Sequence, residues 1–302
     1  MQQRFKSRAS KTAAATATLT LMLAALSACG GGGSSGSGGG TPTATVTSMS
    51  VNATKYYSNA TVTINGTGLD STLAVSSAAC TGMTLASGST ATTATYTCLA
   101  HGALTGTVVA KSNGTQVGSS TFTVPQPIVR LAINNGLSAV GNIDITLAAD
   151  KTPKTVDNFL AYVSAGFYNN TIYHRIVPGF VAQAGGYSAP VTNLSTATLK
   201  TGLLTAIGYE NSLVSNVAGT IAMAADGNGA ETSQFFFNSV SNTQLDGRYT
   251  AFGAITAGAS VEAAVLAAPA GCATVVLDAA GDSETDCLPN PNVVITTATQ
   301  IQ

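Results

Sequence analysis

The chain has 302 residues, of which 45% are hydrophobic and only 8% are charged, so its composition indicates folded domains rather than a disordered chain. Its length predicts two domains of ordinary size. Without the first 28 residues the balance is 8 basic to 13 acidic residues, a net charge of −5, which argues against nucleic-acid binding because that function needs a basic face. The chain has only two histidines, His101 and His174, which argues against a histidine-built metal site.

The N-terminal segment has the features of an export signal. Four basic residues within the first eleven positions precede an apolar run over residues 12–28, which predicts a secretory signal peptide over residues 1–28. The run ends Leu-Ser-Ala before Cys29 and resembles the lipobox of bacterial lipoproteins, in which this cysteine becomes the lipid-modified N-terminus. The alternative is a simple signal peptide with a cysteine near its cleavage site.

The segment after the signal peptide is suited to holding a domain away from a surface. Residues 29–41 are almost wholly Gly and Ser, which predicts a flexible tether. Together with Cys29, the tether predicts a protein anchored at the cell envelope, which contacts the membrane through its lipid only. In a cell with two membranes, Gly30 after the cysteine favours the outer membrane, with the periplasmic face as the alternative.

Four cysteines are left once Cys29 is set aside as the lipidation site. In an oxidising compartment they can form two disulfides, with three possible connectivities. The short separations favour Cys80–Cys98 and Cys272–Cys287, each within one predicted domain. No pair has CxxC spacing, which argues against redox or zinc chemistry.

Residues 42–124 have few charges and several short segments of alternating polarity, which predict a domain made of β-strands. Asn-Gly pairs at residues 65–66 and 113–114 predict hairpin turns. The spacing of these segments suggests a small immunoglobulin-like β-sandwich. Its predicted role is that of a spacer or an adhesive module.

A second domain, residues 127–302, follows the Pro-Gln-Pro sequence at residues 125–127. An alternating pattern predicts a hairpin over residues 129–147. Thr152 is predicted to cap a helix that has Pro153 at its first position and ends at Gly166. Further strands are predicted over residues 171–177, 180–183, 219–224, 235–238, 250–255 and 293–296, a second helix over residues 259–268, and loops over residues 187–215 and 269–291. Two helices among many antiparallel strands suggest a closed barrel with helical covers.

Three segments of the second domain carry a recognisable signature. Residues 167–186 contain Tyr-His-Arg-Ile-Val-Pro-Gly-Phe-Val-Ala-Gln-Ala-Gly-Gly, and residues 219–224 and 232–238 follow in the expected order. The pattern resembles the cyclophilin-type peptidyl-prolyl isomerases (rotamases), most closely their periplasmic bacterial branch. The resemblance implies a mainly β fold, a closed barrel of eight antiparallel strands with two helices, and a site in a groove on its outer surface.

The resemblance also implies the roles of individual residues. Arg175 is implied to be the catalytic arginine, and His174 has either a catalytic or a structural hydrogen-bonding role. Alternation along the strand predicts that Phe236 faces the groove while Phe235 and Phe237 face inward. The implied substrate-binding residues are Phe180, Val181, Gln183, Ala224, Ala225, Gln234, Phe236, Gln244, Leu245 and Tyr249.

The chain departs from the family pattern at three of these positions, which affects the expected substrate preference. Gln244 stands where many cyclophilins have Trp, Tyr249 where some have His, and Ala225 where some have Asn. Cyclophilins that bind the cyclic peptide cyclosporin tightly typically have Trp at the position of Gln244. The resemblance therefore implies an isomerase that resists this inhibitor.

The function implied by the resemblance is prolyl cis-trans isomerisation during the folding of exported proteins. The partners implied are proline-containing segments of unfolded or exported proteins, and the reaction needs no metal, nucleotide or redox cofactor. One alternative is a cyclophilin-fold chaperone or peptide-binding scaffold with little turnover. Another is an adhesin or spacer whose function lies in residues 42–124.

Overall fold

The second part of the chain forms a closed β-barrel, and a smaller all-β region precedes it. The computed structural model describes residues 44–70, 72–136, 139–268, 270–276 and 283–302. The predicted signal peptide, the tether and the lipidation site Cys29 lie outside the described residues. Residues 42–302 group into one compact unit. No helix within the described ranges is long and apolar enough to span a membrane.

The first region contains seven strands in two antiparallel sheets. Its strands are β1 (Thr45–Asn52), β2 (Ser58–Thr67), β3 (Ala74–Ser76), β4 (Cys80–Leu85), β5 (Thr93–Ala100), β6 (Thr105–Ser112) and β7 (Thr115–Thr123). The order in one sheet is β1-β2-β5-β4, and in the other it is β3-β6-β7. A disulfide joins Cys80 to Cys98, across the β4–β5 pair. This is one of the two pairings that the short separations favour.

The two Asn-Gly pairs of this region have different structures. Asn113 and Gly114 both have positive φ, 49° and 81°, and form the predicted turn between β6 and β7. The predicted turn at Asn65-Gly66 is wrong, because both residues lie within β2. A Cβ at Gly66 would overlap the carbonyl oxygen of Thr45. Gly66 thus permits a close approach of β1 rather than a change of chain direction.

Eight strands form the barrel. They are β8 (Ile128–Asn134), β9 (Val140–Leu147), β10 (Thr171–Val177), β11 (Val181–Ser188), β13 (Thr220–Ala225), β14 (Ala230–Asn238), β15 (Ala251–Ala257) and β18 (Val293–Gln300). The order around the barrel is β11-β10-β18-β8-β9-β15-β13-β14, and pairing of β14 with β11 closes it. Each neighbouring pair is antiparallel, which confirms the closed eight-stranded barrel that the resemblance implies.

Three further strands lie outside the barrel proper. The two-residue strand β12 (Ile207–Gly208) pairs with the start of β14. Strands β16 (Ala270–Val276) and β17 (Ser283–Pro289) form a separate hairpin, so the loop predicted over residues 269–291 is wrong for most of its length. The register of this hairpin sets Cys272 opposite Cys287.

Two helices accompany the barrel, α1 (Pro153–Ser164) and α2 (Ala259–Leu266). Helix α1 buries the predicted stripe of Val156, Phe159, Leu160 and Val163. Helix α2 ends two residues before the predicted boundary. Helix α1 also has the predicted proline at its first position.

The cap of α1 differs from the prediction. The hydroxyl of Thr152 donates to the carbonyl oxygen of Ala148 and makes no capping bond. Instead, the carboxylate of Glu210 accepts hydrogen bonds from the Thr155 backbone N–H and hydroxyl, both at 2.8 Å, and from the Lys154 N–H at 3.3 Å. A distant carboxylate therefore satisfies the free N–H groups of the first turn, where negative charge is favoured.

Candidate active site

A β-bulge turns Arg175 toward the outer surface of the barrel. Tyr173 lies opposite Ala184, but Arg175 lies opposite Gln183, so β10 contains one extra residue, His174, at this point. Tyr173 and Ile176 are fully buried in the barrel core, whereas Arg175 is half-buried. Side chains alternate along a regular strand, so residues 173 and 175 would otherwise share a face. The bulge is what separates them.

The strand register places Arg175 at one end of a row of side chains. Arg175 lies opposite Gln183, Gln183 opposite Phe236, Phe236 opposite Ala222, and Ala222 opposite Ala251. Directly opposed residues of antiparallel strands share a face of the sheet. The row therefore runs across five strands on the outer face and brings together a cation, an amide and an apolar floor.

The apolar floor is a cluster of its own, separate from the barrel core. Phe236 is 5% exposed, and the ring of Tyr249 contacts it edge-on with 5.7 Å between the ring centroids. Phe235 and Phe237 belong to the core instead, which confirms the predicted alternation. The cluster consists of Phe180, Val181, Val214, Ala222, Ala224, Phe236, Leu245, Tyr249 and Ala251.

Two glutamine amides lie beside this cluster and are held in place by hydrogen bonds. Gln183 Nε2 donates to Gln234 Oε1 at 2.9 Å, and Gln234 also hydrogen-bonds His174. The His174 ring packs edge-on against Tyr187, with 4.9 Å between the ring centroids. Burial, with a smaller contribution from the charge of Arg175, lowers the pKa of His174 to about 4. A neutral, buried imidazole favours the structural role of the two that the sequence leaves open.

A network of asparagines, which the sequence reasoning missed, holds the walls of the pocket. Asn238 Nδ2 donates to Asn216 Oδ1 at 3.0 Å, and Asn216 Nδ2 donates to the Tyr249 carbonyl oxygen at 3.2 Å. Asn242 Nδ2 donates to the Phe180 carbonyl oxygen at 3.0 Å. These three asparagines are buried and fix the backbone beside two of the pocket residues. Their spacing in the sequence carries no signal, since the network joins four segments, around residues 180, 216, 238–242 and 249.

Within the described ranges, no three His, Cys, Asp or Glu side chains come together in a way that could hold a metal ion.

The sequence model of one protein family, "Cyclophilin type peptidyl-prolyl cis-trans isomerase/CLD", matches residues 128–298, more than half of the chain. The chain belongs to this family. The match includes all eight strands of the barrel, except the last two residues of β18, and every residue of the row described above. The first region precedes it and lies outside the match.

Several cyclophilin relatives are similar over part of this chain. Peptidyl-prolyl cis-trans isomerase A of Dickeya dadantii is 38% identical over 131 residues, which is 41% of this chain and 65% of the relative. Peptidyl-prolyl cis-trans isomerase B of Escherichia coli is 40% identical over 108 residues, 35% of this chain and 62% of the relative. The chain thus spans slightly less than two thirds of the length of these bacterial relatives.

A mammalian relative is matched over more of its length. Peptidyl-prolyl cis-trans isomerase-like 3 of Mus musculus is 34% identical over 119 residues, 39% of this chain and 72% of the relative. A crystal structure of a cyclophilin-type isomerase from Cryptosporidium parvum overlaps 59% of this chain and 99% of its own, with 23% identity and a TM-score of 0.43.

Two predicted groove residues of this cyclophilin barrel lie apart from the apolar cluster. Gln244 is exposed on a short 3-10 turn over residues 243–245, and its Nε2 lies 3.4 Å from Asn242 Oδ1. Ala225 is half-buried at the end of β13. Both are positions at which the chain departs from the family pattern. The other predicted binding residues lie in the cluster or in the adjoining glutamine pair.

Proposed function

We propose that this chain is a peptidyl-prolyl cis-trans isomerase that acts on exported proteins. The observation that carries the proposal is the row on the outer face of the barrel. It sets the Arg175 cation two strands from Phe236, which is about 10 Å at the usual strand spacing. When a proline ring packs against Phe236, its imide bond lies on the side of the pocket that faces Arg175.

The reaction requires only rotation about the prolyl C–N bond, and the side chains present are suited to it. Amide resonance holds a peptide bond planar with a barrier of about 18–20 kcal/mol, and prolyl isomerisation in the absence of a catalyst is slow. The C–N bond must lose its double-bond character and twist, and no covalent bond forms or breaks. A hydrogen bond from Arg175 to the prolyl nitrogen stabilises the twisted state more than either planar state.

Arginine suits this role because its guanidinium stays protonated and is rigid and planar. The apolar cluster around Phe236 holds the proline ring fixed, while the amides of Gln183 and Gln234 bind the neighbouring peptide backbone. One side of the bond is thereby fixed and the other side is left to rotate. His174, neutral and buried, positions Gln234 and transfers no proton in this scheme.

The cell envelope is the proposed place of action. The predicted signal peptide and Cys29 support this proposal, and so does the Cys80–Cys98 disulfide, since such bonds persist in oxidising compartments. Mass spectrometry of the protein from its native membrane tests it. A lipidated Cys29 at the mature N-terminus is expected, and an unprocessed or unmodified N-terminus contradicts the anchor.

The isomerase proposal is tested by a prolyl-peptide isomerisation assay on the full chain and three variants. Arg175→Ala is expected to lose most of the activity at an unchanged thermal midpoint, because the side chain supplies charge rather than core packing. Arg175→Lys is expected to recover little, since an ammonium lacks the planar fork. Arg130→Ala is the control, because Arg130 lies on β8, on the opposite side of the barrel from β14, and pairs there with Asp144 of the neighbouring strand β9.

Two results would contradict the proposed mechanism. Background rates in the unmodified chain would favour the non-catalytic alternative, a chaperone or peptide-binding scaffold. Full activity of Arg175→Ala would remove the arginine from the reaction.

A further inference from the structure

We propose that a cleft beside the proline pocket is a second subsite, which takes a bulky apolar side chain of the same peptide. The cleft has a volume of about 220 Å³, and its lining includes Tyr209, Leu213, Val214, Asp246 and Tyr249. This is less than the roughly 300–1,000 Å³ of pockets for drug-sized ligands and suits a single side chain. The proposal rests on the proposed function, because it assigns a preference to the same groove.

Leu213 gives the cleft its apolar character. Its side chain is 84% exposed, the largest exposure of any large apolar side chain that the structure describes. An apolar group so exposed gains free energy when a ligand covers it. Together with Val214 and the rings of Tyr209 and Tyr249 in the same lining, Leu213 favours an apolar side chain as the occupant.

The cleft is continuous with the proline pocket. Val214 and Tyr249 line the cleft and also pack against the Phe236 cluster. The ring of Tyr249 contacts Phe236 on the side of the proline pocket and forms part of the cleft wall. A peptide whose proline sits on Phe236 therefore has the cleft within reach of a neighbouring side chain.

The only carboxylate in the lining is already hydrogen-bonded to the protein. Asp246 Oδ1 accepts hydrogen bonds from the Asn216 backbone N–H at 2.7 Å and from Asn216 Nδ2 at 3.0 Å. Asp246 Oδ2 accepts one from the Ser215 hydroxyl. Although burial raises the pKa of Asp246, these bonds lower it below its ordinary value. The carboxylate thus holds the rim of the cleft rigid, and the apolar and aromatic side chains are left to bind the ligand.

The position of the cleft sets which part of the peptide reaches it. Arg175 lies two strands from Phe236 in one direction, and Ala251, close to Tyr249 in sequence, lies two strands away in the other. The cleft is therefore on the side of the proline pocket away from Arg175. Two strand spacings are about 10 Å, which an extended peptide covers in about three residues.

Binding and turnover of a peptide series by the full chain test the subsite. The reference peptide has one proline among alanines, and six others each have a single Phe at one of the three positions on either side of the proline. The variants are Leu213→Ala and a control, Leu85→Ala, since Leu85 is 45% exposed in β4 of the first region. At least one Phe position is expected to raise kcat/KM and affinity about tenfold in the unmodified chain and the control.

In Leu213→Ala most of this gain should disappear, while the all-alanine reference peptide should be bound and isomerised as before. Equal behaviour of all seven peptides, or a gain that survives in Leu213→Ala, would overturn the subsite. Absence of turnover of the reference peptide would instead overturn the proposed isomerase function. The subsite would then be judged by the dissociation constants alone, measured by chemical-shift titration of the same peptides.

Discussion

Tyr56, in the first region, donates a hydrogen bond of 2.6 Å to Asp157 on the barrel helix α1. The other carboxylate oxygen of Asp157 lies 2.7 Å from His101 Nδ1, and the Gly102 N–H donates to the Tyr56 hydroxyl at 2.9 Å. Gln300 Nε2 on β18 donates to the Tyr56 carbonyl oxygen at 2.7 Å. The first region is therefore joined to the barrel by half-buried polar contacts centred on Tyr56 and Asp157.

We predict that Asp157→Ala lowers the free energy of unfolding by about 1–3 kcal/mol, because it leaves the buried Tyr56 hydroxyl without its charged acceptor. The urea midpoint measures the loss. Asp150→Ala is the matched control, because its carboxylate is exposed and accepts one bond from Gln126. Equal midpoints for the two variants would mean that the Asp157 contacts contribute nothing to stability.

The second prediction concerns the cap of α1. Glu210→Ala should lower the free energy of unfolding by about 1–2 kcal/mol, since the first turn of the helix loses both its hydrogen-bond acceptor and a favourable negative charge. Glu210→Gln keeps an acceptor and should cost less. The thermal midpoints of the two variants check this order, and the reverse order would contradict the assigned capping role.

Glu262 and His174 are both buried, and the shifts of their pKa values predict opposite effects of pH on stability. Burial raises the pKa of Glu262 from its ordinary value of 4.5 to about 8, so the folded protein keeps a proton that the unfolded chain releases. Stability from this group is complete below pH 4.5 and is lost as the pH rises to 8. Burial lowers the pKa of His174 from 6.5 to about 4, so stability from His174 is present above pH 6.5 and is lost as the pH falls to 4.

The range from pH 6.5 to 8 emphasises Glu262, since His174 is neutral there in the folded protein and at most half protonated in the unfolded chain. The unmodified protein should lose about 1.4 kcal/mol of stability per pH unit through this group, and Glu262→Gln should have a flatter profile. Urea unfolding at several pH values makes the comparison. Parallel profiles for the two proteins would show that Glu262 does not hold its proton in the folded state.

The departure from the family pattern at Gln244 concerns inhibition. Gln244 is exposed and lies outside the apolar cluster, so it offers little of the apolar area that a Trp provides at this position. Losing on the order of 100 Å² of contact costs about 2.5 kcal/mol, nearly two decades in affinity. We therefore predict an active isomerase that resists cyclosporin.

Gln244→Trp is expected to raise sensitivity to cyclosporin more than it raises turnover, because the proposed proline pocket is formed mainly by Phe180, Phe236 and Leu245. Titration of activity with the inhibitor provides the measurement. Nanomolar inhibition of the unmodified chain would show that the contacts of this position are not needed.

Local pattern alone determined much of the barrel. Alternation along β14 predicted that Phe236 faces the groove and that Phe235 and Phe237 face the core. This prediction needs no tertiary contact, because side chains alternate along any regular strand. The apolar stripe of α1 and the proline at its first position likewise depend on neighbours in sequence. The signature around Arg175 indicated the family because its residues are close together in the chain.

Contacts between distant segments were decided only by the tertiary structure. The bulge at His174 depends on how β10 pairs with β11, and it alone turns Arg175 outward while Tyr173 stays in the core. The cap of α1 comes from Glu210, 55 residues beyond Thr155, and replaced the local candidate Thr152. A sequence displays which side chains are near each other along the chain, whereas hydrogen-bond partners and strand register are selected by burial and packing across the whole fold.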